Sequence, residues 1–452
     1  MRDILEEAIK GHNTDYVEVR VEETRSTHVA YRGRELEEIG EASDLGGCVR
    51  AIYRGGQGFV SFNSLSDLRE RAAEAARYAR VVGGEKTVLA PVPVVNEVVP
   101  AVVKKDPRLV PLRSKKEILD RYLDTIWRTP GVSSATISYA DSYKRKVFAS
   151  SEGSYVEQSR LDVTVRLSVL ARDGGDVQQA ALSLGSNGDF GLVENLDRDV
   201  EELARKAVAL LKAPRIQGRE YTVILDPVLA GVFIHEAFGH LSEADHVYEQ
   251  PALREIMTLG KTFGTPLLNV VDGGAIPGLR GSYEYDDEGV AATRTYLLRE
   301  GVLVGRLHSR ETAGKMGERP TGNGRAIGYR FPPIVRMTNT IIEPGKLSLE
   351  ELLAGVKEGV YVKNWHGGMT SLEMFTFSSG EAYMLRNGRV GELIRPVVLS
   401  GNLFSTLKNI DAVGNDLDVN QGGGCGKGGQ FPLPVSNGSP HIRIQKCLVS
   451  GA

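Results

Sequence analysis

The chain has 452 residues, of which 41% are hydrophobic and 25% are charged, with a formal net charge of −3. These values are typical of a globular protein with roughly two to four domains, and they exclude an extended nucleic-acid-binding surface. No apolar run reaches the roughly 18 residues of a membrane span. The three cysteines cannot form a disulfide framework, which predicts a reducing cytoplasm.

The N-terminal half contains two segments with the same order of signals: a helix, four antiparallel strands and a helix. The first segment has helices near 4–9 and 66–82 and strands near 16–23, 28–31, 47–53 and 59–62. The second has helices near 115–127 and 200–211 and strands near 135–140, 147–150, 163–171 and 176–184. Alternating apolar and charged residues, as in 17–22, predict that helices cover one strand face and solvent the other.

These patterns predict an α+β fold in which a duplicated helix, antiparallel sheet and helix unit precedes a β-rich C-terminal domain. The predicted domains are 1–88 and 114–215 for the two units, joined by a proline-rich linker at 89–113, and 216–452 for the last domain. The N-terminal half presents no catalytic group, since His12 and His28 are isolated surface candidates and Cys48 lies in an apolar strand.

The first segment of the C-terminal domain predicts a strand at 221–225 and a helix at 227–240. Asp226 is a good N-cap for this helix, and Pro227 suits its first position. The helix ends in His235-Glu236-Ala237-Phe238-Gly239-His240. In zinc hydrolases two histidines of such a motif bind the metal and the adjacent carboxylate is the general base. This helix therefore predicts a zinc site.

The spacing H-E-x-x-x-H is one residue longer than the familiar H-E-x-x-H. On a regular helix His235 and His240 would lie roughly 140° apart, too far to share one ion. Either a π-bulge brings them together, or the helix stops at Gly239, which tolerates positive φ, and His240 turns inward. The alternative interpretation is two unrelated histidines. Glu243 and Asp245 follow the helix, and they could either orient the zinc ligands or be solvated charges.

Further polar segments follow in the β-rich domain. Asp286 and Asp287 predict a site for an N-terminal amine or a cation, or else a solvated turn. Arg336 and Asn339 lie in an alternating segment that could pair with an extended peptide by strand addition. The glycine-rich stretch at 422–430 is not a Walker phosphate loop, because no serine or threonine follows its lysine.

Five ordered motifs resemble the TldD/PmbA family of metallopeptidases, and specifically its catalytic TldD-type members. They lie at the positions 235–245, 281–289, 321–325, 336–340 and 422–430. The resemblance implies that Cys425 is the third zinc ligand and that Glu236 is the general base. Flanking glycines agree with this, because they allow Cys425 to approach a buried site closely. Cys447 is expected to be structural. His246 and His366 are not expected to be ligands, because a fourth protein ligand would occupy the position that a catalytic zinc leaves for water.

The resemblance also implies one zinc ion per catalytic subunit and substrates that are unfolded peptides or small labile proteins. It implies a partner, either a paralogous TldE/PmbA-type subunit or a second copy of the chain. The acidic charge balance and the lack of a long apolar run predict no nucleic-acid or membrane partner. Two other functions stay open at this point. One is a non-catalytic regulator of DNA gyrase, which would not need an intact ligand set. The other is a zinc amidohydrolase of small molecules, which would have a compact charged pocket.

Overall fold

The structure is a computed structural model that describes residues 1–81, 86–371 and 373–451. The N-terminal half contains α1 (Arg2–Ile9), β1 (Tyr16–Arg32), β2 (Glu35–Tyr53), β3 (Gly56–Phe62), α2 (Leu68–Val81), β4 (Asn96–Val99), α3 (Leu112–Trp127), β5 (Val132–Ser150), β6 (Tyr155–Asp173), β7 (Asp176–Asn187) and α4 (Asp197–Lys212). The predicted end of the second helix at Val82 lies outside the described residues. The α+β fold class is confirmed.

The two N-terminal units share one seven-stranded sheet. Its order is β3-β2-β1-β5-β6-β4, with β7 also pairing with β6, and the units join where β1 pairs antiparallel with β5. Each unit contributes three long antiparallel strands where four are predicted, because 16–23 and 28–31 belong to one strand, as do 135–140 and 147–150. The domain boundaries predicted at 88, 113 and 215 stay a proposal.

One face of this sheet carries the helices. Alternate side chains of β1, such as Val17, Val19 and Val21, are buried against α1 and α2, and the second unit packs α3 and α4 on the same sheet. This part of the amphipathic pattern folds as expected, because burial of apolar area drives the helices onto the sheet.

The other face is not solvated where β1 begins. Glu18, Arg20 and Glu22 are all buried, with 2–4% of their surface exposed. The C-terminal domain covers them, and Arg50 bridges Glu18 (2.9 Å) to Glu288 of that domain (2.7 Å). The prediction of a solvated strand face is therefore wrong here, because ion pairs allow these charges to be buried between the two halves.

The C-terminal half is rich in short strands, as predicted. Its elements are β8 (Arg219–Leu225), α5 (Pro227–Ile234), α6 (Ala244–Glu249), α7 (Pro251–Ile256), β9 (Val270–Gly273), β10 (Arg294–Arg299), β11 (Val302–Leu303), α8 (Arg310–Met316), β12 (Gly324–Arg325), β13 (Ile334–Val335), β14 (Asn339–Ile342), α9 (Leu349–Ala354), β15 (Glu358–Ser371), β16 (Met374–Arg386), β17 (Arg389–Ile394), β18 (Val397–Asn402), α10 (Leu403–Lys408), β19 (Ile410–Val413), β20 (Asp418–Asn420), β21 (Gly424–Lys427), β22 (Gln430–Pro434), β23 (Ser436–Ser439) and β24 (Ile442–Gly451).

Two sheets of this domain enclose α5. One has the order β15-β8-β24-β18-β16-β17, with β19 paired to β24, and the other has the order β11-β10-β9-β14-β23-β20. The helix α5 contacts β15 of the first sheet and β14, β20 and β23 of the second. It is apolar on every side, as a helix buried all round must be. Among the described helices, none combines the length and apolar character needed to cross a membrane.

Candidate metal centre

The helix that carries the first two candidate ligands begins as predicted. The Asp226 carboxylate accepts a hydrogen bond from the Leu229 N–H at 2.9 Å, and Pro227 occupies the first helical position. Asp226 also accepts from the N–H of Asn364 on β15 at 3.2 Å. The cap therefore fixes the start of α5 to the neighbouring sheet as well as satisfying a free N–H group.

A π-helical turn, His235–Gly239, follows α5 directly. The His240 N–H donates to the His235 carbonyl, an i to i+5 bond that brings both rings to one side, with centroids 5.3 Å apart. Of the two predicted distortions, the π-bulge is confirmed. Gly239 has a right-handed φ of −59°, so it is not needed for positive φ. It is needed for close approach, because an added Cβ would lie 2.1 Å from Met337 Sδ.

Cys425 lies on a β-hairpin formed by β21 and β22. Gly428 and Gly429 form its turn with φ of +57° and +74°, values typical of a two-residue type I′ turn. The hairpin is held by Arg336, which is fully buried and donates to the carbonyls of Cys425 (2.6 Å) and Gln430 (3.1 Å). The glycine-rich stretch at 422–430 is thus partly a hairpin, and Arg336 fixes the backbone that carries the thiol.

The hairpin brings the thiol to the two imidazoles. The Cys425 Sγ lies 3.6 Å from His240 Nε2, and one potential ligand atom from each of His235, His240 and Cys425 lies within 4.8 Å of the others. His235 and Cys425 are buried, whereas the His240 side chain is 21% exposed. The structure therefore gathers the three predicted ligands into one cluster that solvent reaches on the His240 side.

The two imidazole rings stabilise the thiolate form of Cys425. Burial acts to raise the pKa of Cys425, but the adjacent His235 and His240 rings outweigh it and lower the pKa to about 5. Burial acts to lower the pKa of His240, whereas Glu243 and Cys425 raise it well above its usual value. The thiol is thus a thiolate near neutral pH, the form in which cysteine binds metal.

Glu243 and Lys427 form a charged group behind His240. Glu243 Oε2 accepts from His240 Nδ1 at 3.0 Å, and the Lys427 ammonium lies 3.1 Å from the same oxygen. Lys427 also donates to both oxygens of Asp245, at 2.6 and 2.7 Å. Although burial acts to raise the pKa of Glu243, Lys427 and His240 lower it to about 2, so this fully buried carboxylate is ionised.

This arrangement decides between two interpretations of Glu243 and Asp245. They are not solvated charges, because Glu243 contacts a candidate ligand and Asp245 contacts Lys427 on the hairpin of Cys425. With His246 they form a second group of potential metal ligands. The Lys427 ammonium occupies that group, so its carboxylates already have a cation. Sequence reasoning missed Lys427, although an acidic pair in the first of the five motifs and a lysine in the last are the signal that could have found it.

Glu236 lies at the edge of the three-donor cluster, which is formed by His235, His240 and Cys425. Its Oε2 is 4.0 Å from His240 Nε2, and the side chain is 29% exposed. It is therefore near the cluster, on the side that solvent reaches. A carboxylate in this position can accept a proton from a water at the cluster.

Three other predicted site residues form no hydrogen bond or ion pair with the cluster within the described residues. Asp286 accepts from three backbone N–H groups of its own and a neighbouring loop, and Asp287 pairs with Lys146. Asn339 is fully buried, donating to Gly273 O and accepting from the Gly281 N–H. These contacts hold loops together, and they leave a direct role in substrate binding unsupported.

The remaining histidines and cysteines have partners or surroundings elsewhere. His366 contacts Gln179 at 3.1 Å on the surface, and His246 lies 3.9 Å from Glu243. Cys48 is buried in the N-terminal sheet as predicted. Cys447 is buried in the C-terminal core, and burial raises its pKa to about 12, so this thiol stays protonated.

The donor set fits a zinc ion. Two imidazoles and a thiolate are a known catalytic ligand set that leaves one position for water. Among the described residues, His235 Nδ1 is buried without a hydrogen-bond partner, so no protein group holds the ring through that nitrogen. His240 donates through Nδ1 to Glu243, so Nε2 is the ring nitrogen that faces Cys425, and it can bind the ion once its proton is lost.

Comparison with known proteins agrees with this architecture. Family models for the PmbA/TldA metallopeptidase match in three parts: domain 1 at 17–79, the central domain at 105–213 and the C-terminal domain at 218–451. A protein of Synechocystis sp. named metalloprotease slr0863 is 47% identical over 439 residues, covering 97% of this chain and 95% of the relative.

Two solved structures have the same fold. A putative modulator of a DNA gyrase from Thermotoga maritima aligns with a TM-score of 0.82 at 21% identity, covering 99% of both chains. TldE from Thermococcus kodakarensis aligns with a TM-score of 0.76 at 18% identity, covering 99% of this chain and all of the other.

The family models and the Synechocystis relative both define a class of metallopeptidases. One model alone spans more than half of the chain, and the relative aligns over nearly all of it. The chain belongs to the PmbA/TldA metallopeptidase family.

Proposed function

We propose that the chain is a catalytic, TldD-type zinc peptidase that hydrolyses unfolded peptides or small labile proteins. The observation that carries the proposal is the convergence of His235, His240 and Cys425, with Glu236 beside them on the exposed side. Cys425 is far from the two histidines in sequence, so a cluster of three donors requires the whole domain to fold around it. A carboxylate next to such a cluster is the arrangement expected of a zinc hydrolase.

The three donors would hold the ion, and bound zinc would supply Lewis-acid activation of water and of a peptide carbonyl. Glu243 orients His240 by accepting the Nδ1 proton, and Arg336 fixes the Cys425 backbone. Glu236 would take a proton from the attacking water on one carboxylate oxygen and pass it to the leaving amine. The buried residues around α5 keep water from the rear of the cluster, so solvent enters from the Glu236 and His240 side.

The proposed substrate is an extended chain, because a folded protein would not bring its backbone to a largely buried cluster. We further propose a partner subunit, either a paralogous TldE/PmbA-type protein or a second copy. The likeness in fold to TldE of Thermococcus kodakarensis supports a family in which related subunits share one architecture. The gyrase-modulator name belongs to the Thermotoga protein, and no contact described above favours that role for this chain.

The test is hydrolysis of an unstructured peptide by purified protein, with zinc, with a chelator, and with a paralogous partner where the source encodes one. Glu236→Gln should retain stoichiometric zinc and lose hydrolysis, since the amide cannot accept the proton. Glu249→Gln is the matched control, because Glu249 lies at the end of the next α-helix, α6, outside the cluster. Full activity of Glu236→Gln would contradict the assigned base, and turnover of small amides but not peptides would favour an amidohydrolase.

A further inference from the structure

A cavity of about 530 Å³ lies between the N-terminal sheet and the C-terminal domain. Its floor is formed by side chains of β1, β5 and β6 on the sheet face opposite the helices. The loop at 274–287 and strand β22 form the other side. His235, Glu236 and His240 are not among the described residues that line it. It is therefore distinct from the three-donor cluster, although β22 is the strand that pairs with the strand of Cys425.

Two guanidinium groups in this cavity lie at one carboxylate, and a third projects into the cavity from the same strand. Arg280 forms a two-point ion pair with Asp162, at 2.7 and 2.9 Å. Arg160 lies 3.5 Å from the same carboxylate, and its guanidinium also donates to the carbonyls of Arg280 and Ser282. Arg166 projects from the same face of β6, since residues at even spacing share a face. The Arg166 guanidinium forms no hydrogen bond or ion pair with any other described residue, and it is exposed to the cavity.

The three arginines Arg160, Arg166 and Arg280 together carry more positive charge than Asp162 can balance. Burial and two neighbouring arginines lower the pKa of Arg160 to about 10 against the opposing effect of Asp162, and burial and Arg280 lower the pKa of Arg166. Both groups remain protonated at neutral pH, so their charges are present but incompletely balanced. The carboxylates of Glu284, Asp286 and Asp287 also line the cavity, but among the described residues none of them forms an ion pair with these three arginines.

The other cations of the cavity already have partners in the protein. Lys146 pairs with Asp287, Lys144 lies 3.2 Å from Glu22, and Arg325 donates to the carbonyls of Met337 and Pro434. Among the lining cations, Arg166 is thus the one without a partner in the described part of the chain. An arginine that lacks a carboxylate partner within a concave site is suited to bind the carboxylate of a ligand through two parallel hydrogen bonds.

We propose that this cavity binds the free carboxylate end of a short peptide, with Arg166 as the carboxylate-binding group. The volume is within the range of about 300–1,000 Å³ of small-ligand sites. Apolar side chains such as Val99, Ile276 and Leu433 line the rest of the cavity and would contact the peptide's side chains. Binding here requires no metal, so the proposal extends beyond the proposed hydrolysis.

Arg166 is the residue to change. Arg280 is unsuitable, because it also donates to the carbonyls of Gln421 and Gly423 in the segment that leads to Cys425. Arg166 has no such contact, so Arg166→Gln should fold normally. Arg172→Gln is the matched control, since Arg172 is exposed on the same face of β6 but does not line the cavity.

The experiment measures binding of a fluorescently labelled short peptide with uncharged side chains by anisotropy. The peptide is used with a free C-terminal carboxylate and as its amide. The full-length protein carries Glu236→Gln so that the peptide stays intact. We expect the free acid to bind at least about tenfold more tightly than the amide, a difference typical of a lost charge-assisted hydrogen bond. Arg166→Gln should remove that difference, and Arg172→Gln should retain it.

Equal binding of acid and amide, or an unchanged preference in Arg166→Gln, would overturn the proposal. Binding of inorganic phosphate without binding of the peptide acid would also overturn it, in favour of an inorganic anion site. The result of this binding experiment does not depend on whether the chain is a peptidase. Peptide binding that responds to Arg166 can occur without hydrolysis, and hydrolysis can occur without it.

Discussion

Replacing Glu243 with glutamine is expected to weaken zinc binding while leaving the fold intact. Glu243 Oε2 accepts from His240 Nδ1 at 3.0 Å, which fixes the tautomer in which Nε2 is free to bind the ion. Glutamine has nearly the same shape and retains one acceptor oxygen, but it lacks the negative charge. Lys427 would keep its two contacts with Asp245, at 2.6 and 2.7 Å, so the buried ammonium would still have a carboxylate partner.

The magnitude follows from the contact that changes. A hydrogen bond to a charged group contributes about 1.5–3 kcal/mol, and a neutral one about 0.5–1.5 kcal/mol. The midpoints of these ranges differ by about 1.25 kcal/mol, so the Kd for zinc should increase by close to the tenfold that about 1.4 kcal/mol represents. This is the lower end of the 10–100-fold range found when a residue supporting a ligand histidine is replaced, as expected for a substitution that keeps an acceptor.

The assay is a competition titration of zinc against a fluorescent chelator, together with thermal unfolding of the metal-free protein. Glu381→Gln is the matched control. Glu381 is also buried and paired with a lysine, Lys206 at 2.7 Å, but it contacts neither histidine. Both variants should lose some thermal stability, and only Glu243→Gln should lose zinc affinity. An unchanged Kd for Glu243→Gln, or equal losses in both variants, would refute the reasoning.

Further measurements test the other members of the cluster. Cys425→Ser should lower bound zinc at least about tenfold, since a thiolate ligand is lost, whereas Cys447→Ser should keep it because that thiol lies in the core. Metal analysis after dialysis measures both, and the reverse order would show that the third ligand is misassigned. Zinc affinity should also rise between about pH 6 and 8. The raised pKa of His240 means that zinc must displace a proton there, and the affinity rises as that proton is lost. A pH-independent Kd in the same titration would contradict this.

Much of the local structure could be predicted from the sequence because it depends on neighbouring residues. Asp226 followed by Pro227 starts α5, and the apolar stretch after them makes a helix that must be buried on every side. The spacing of His235 and His240 requires a distorted helix, and the π-helical turn is that distortion. The role of Gly239 could not be predicted, because it depends on Met337 of another segment.

The sequence by itself determined the amphipathic helices, the strand alternation and the presence of two imidazoles and a carboxylate on one helix end. Only the tertiary structure decided that Glu18, Arg20 and Glu22 are buried, because the C-terminal domain brings Glu288 and Asp287 against that sheet face. The tertiary structure also decided that Lys427 neutralises Glu243 behind His240. The physical reason is the same in both cases. A side chain's periodicity depends on its neighbours in sequence, whereas the solvation and pairing of its charge depend on what the rest of the chain packs against it.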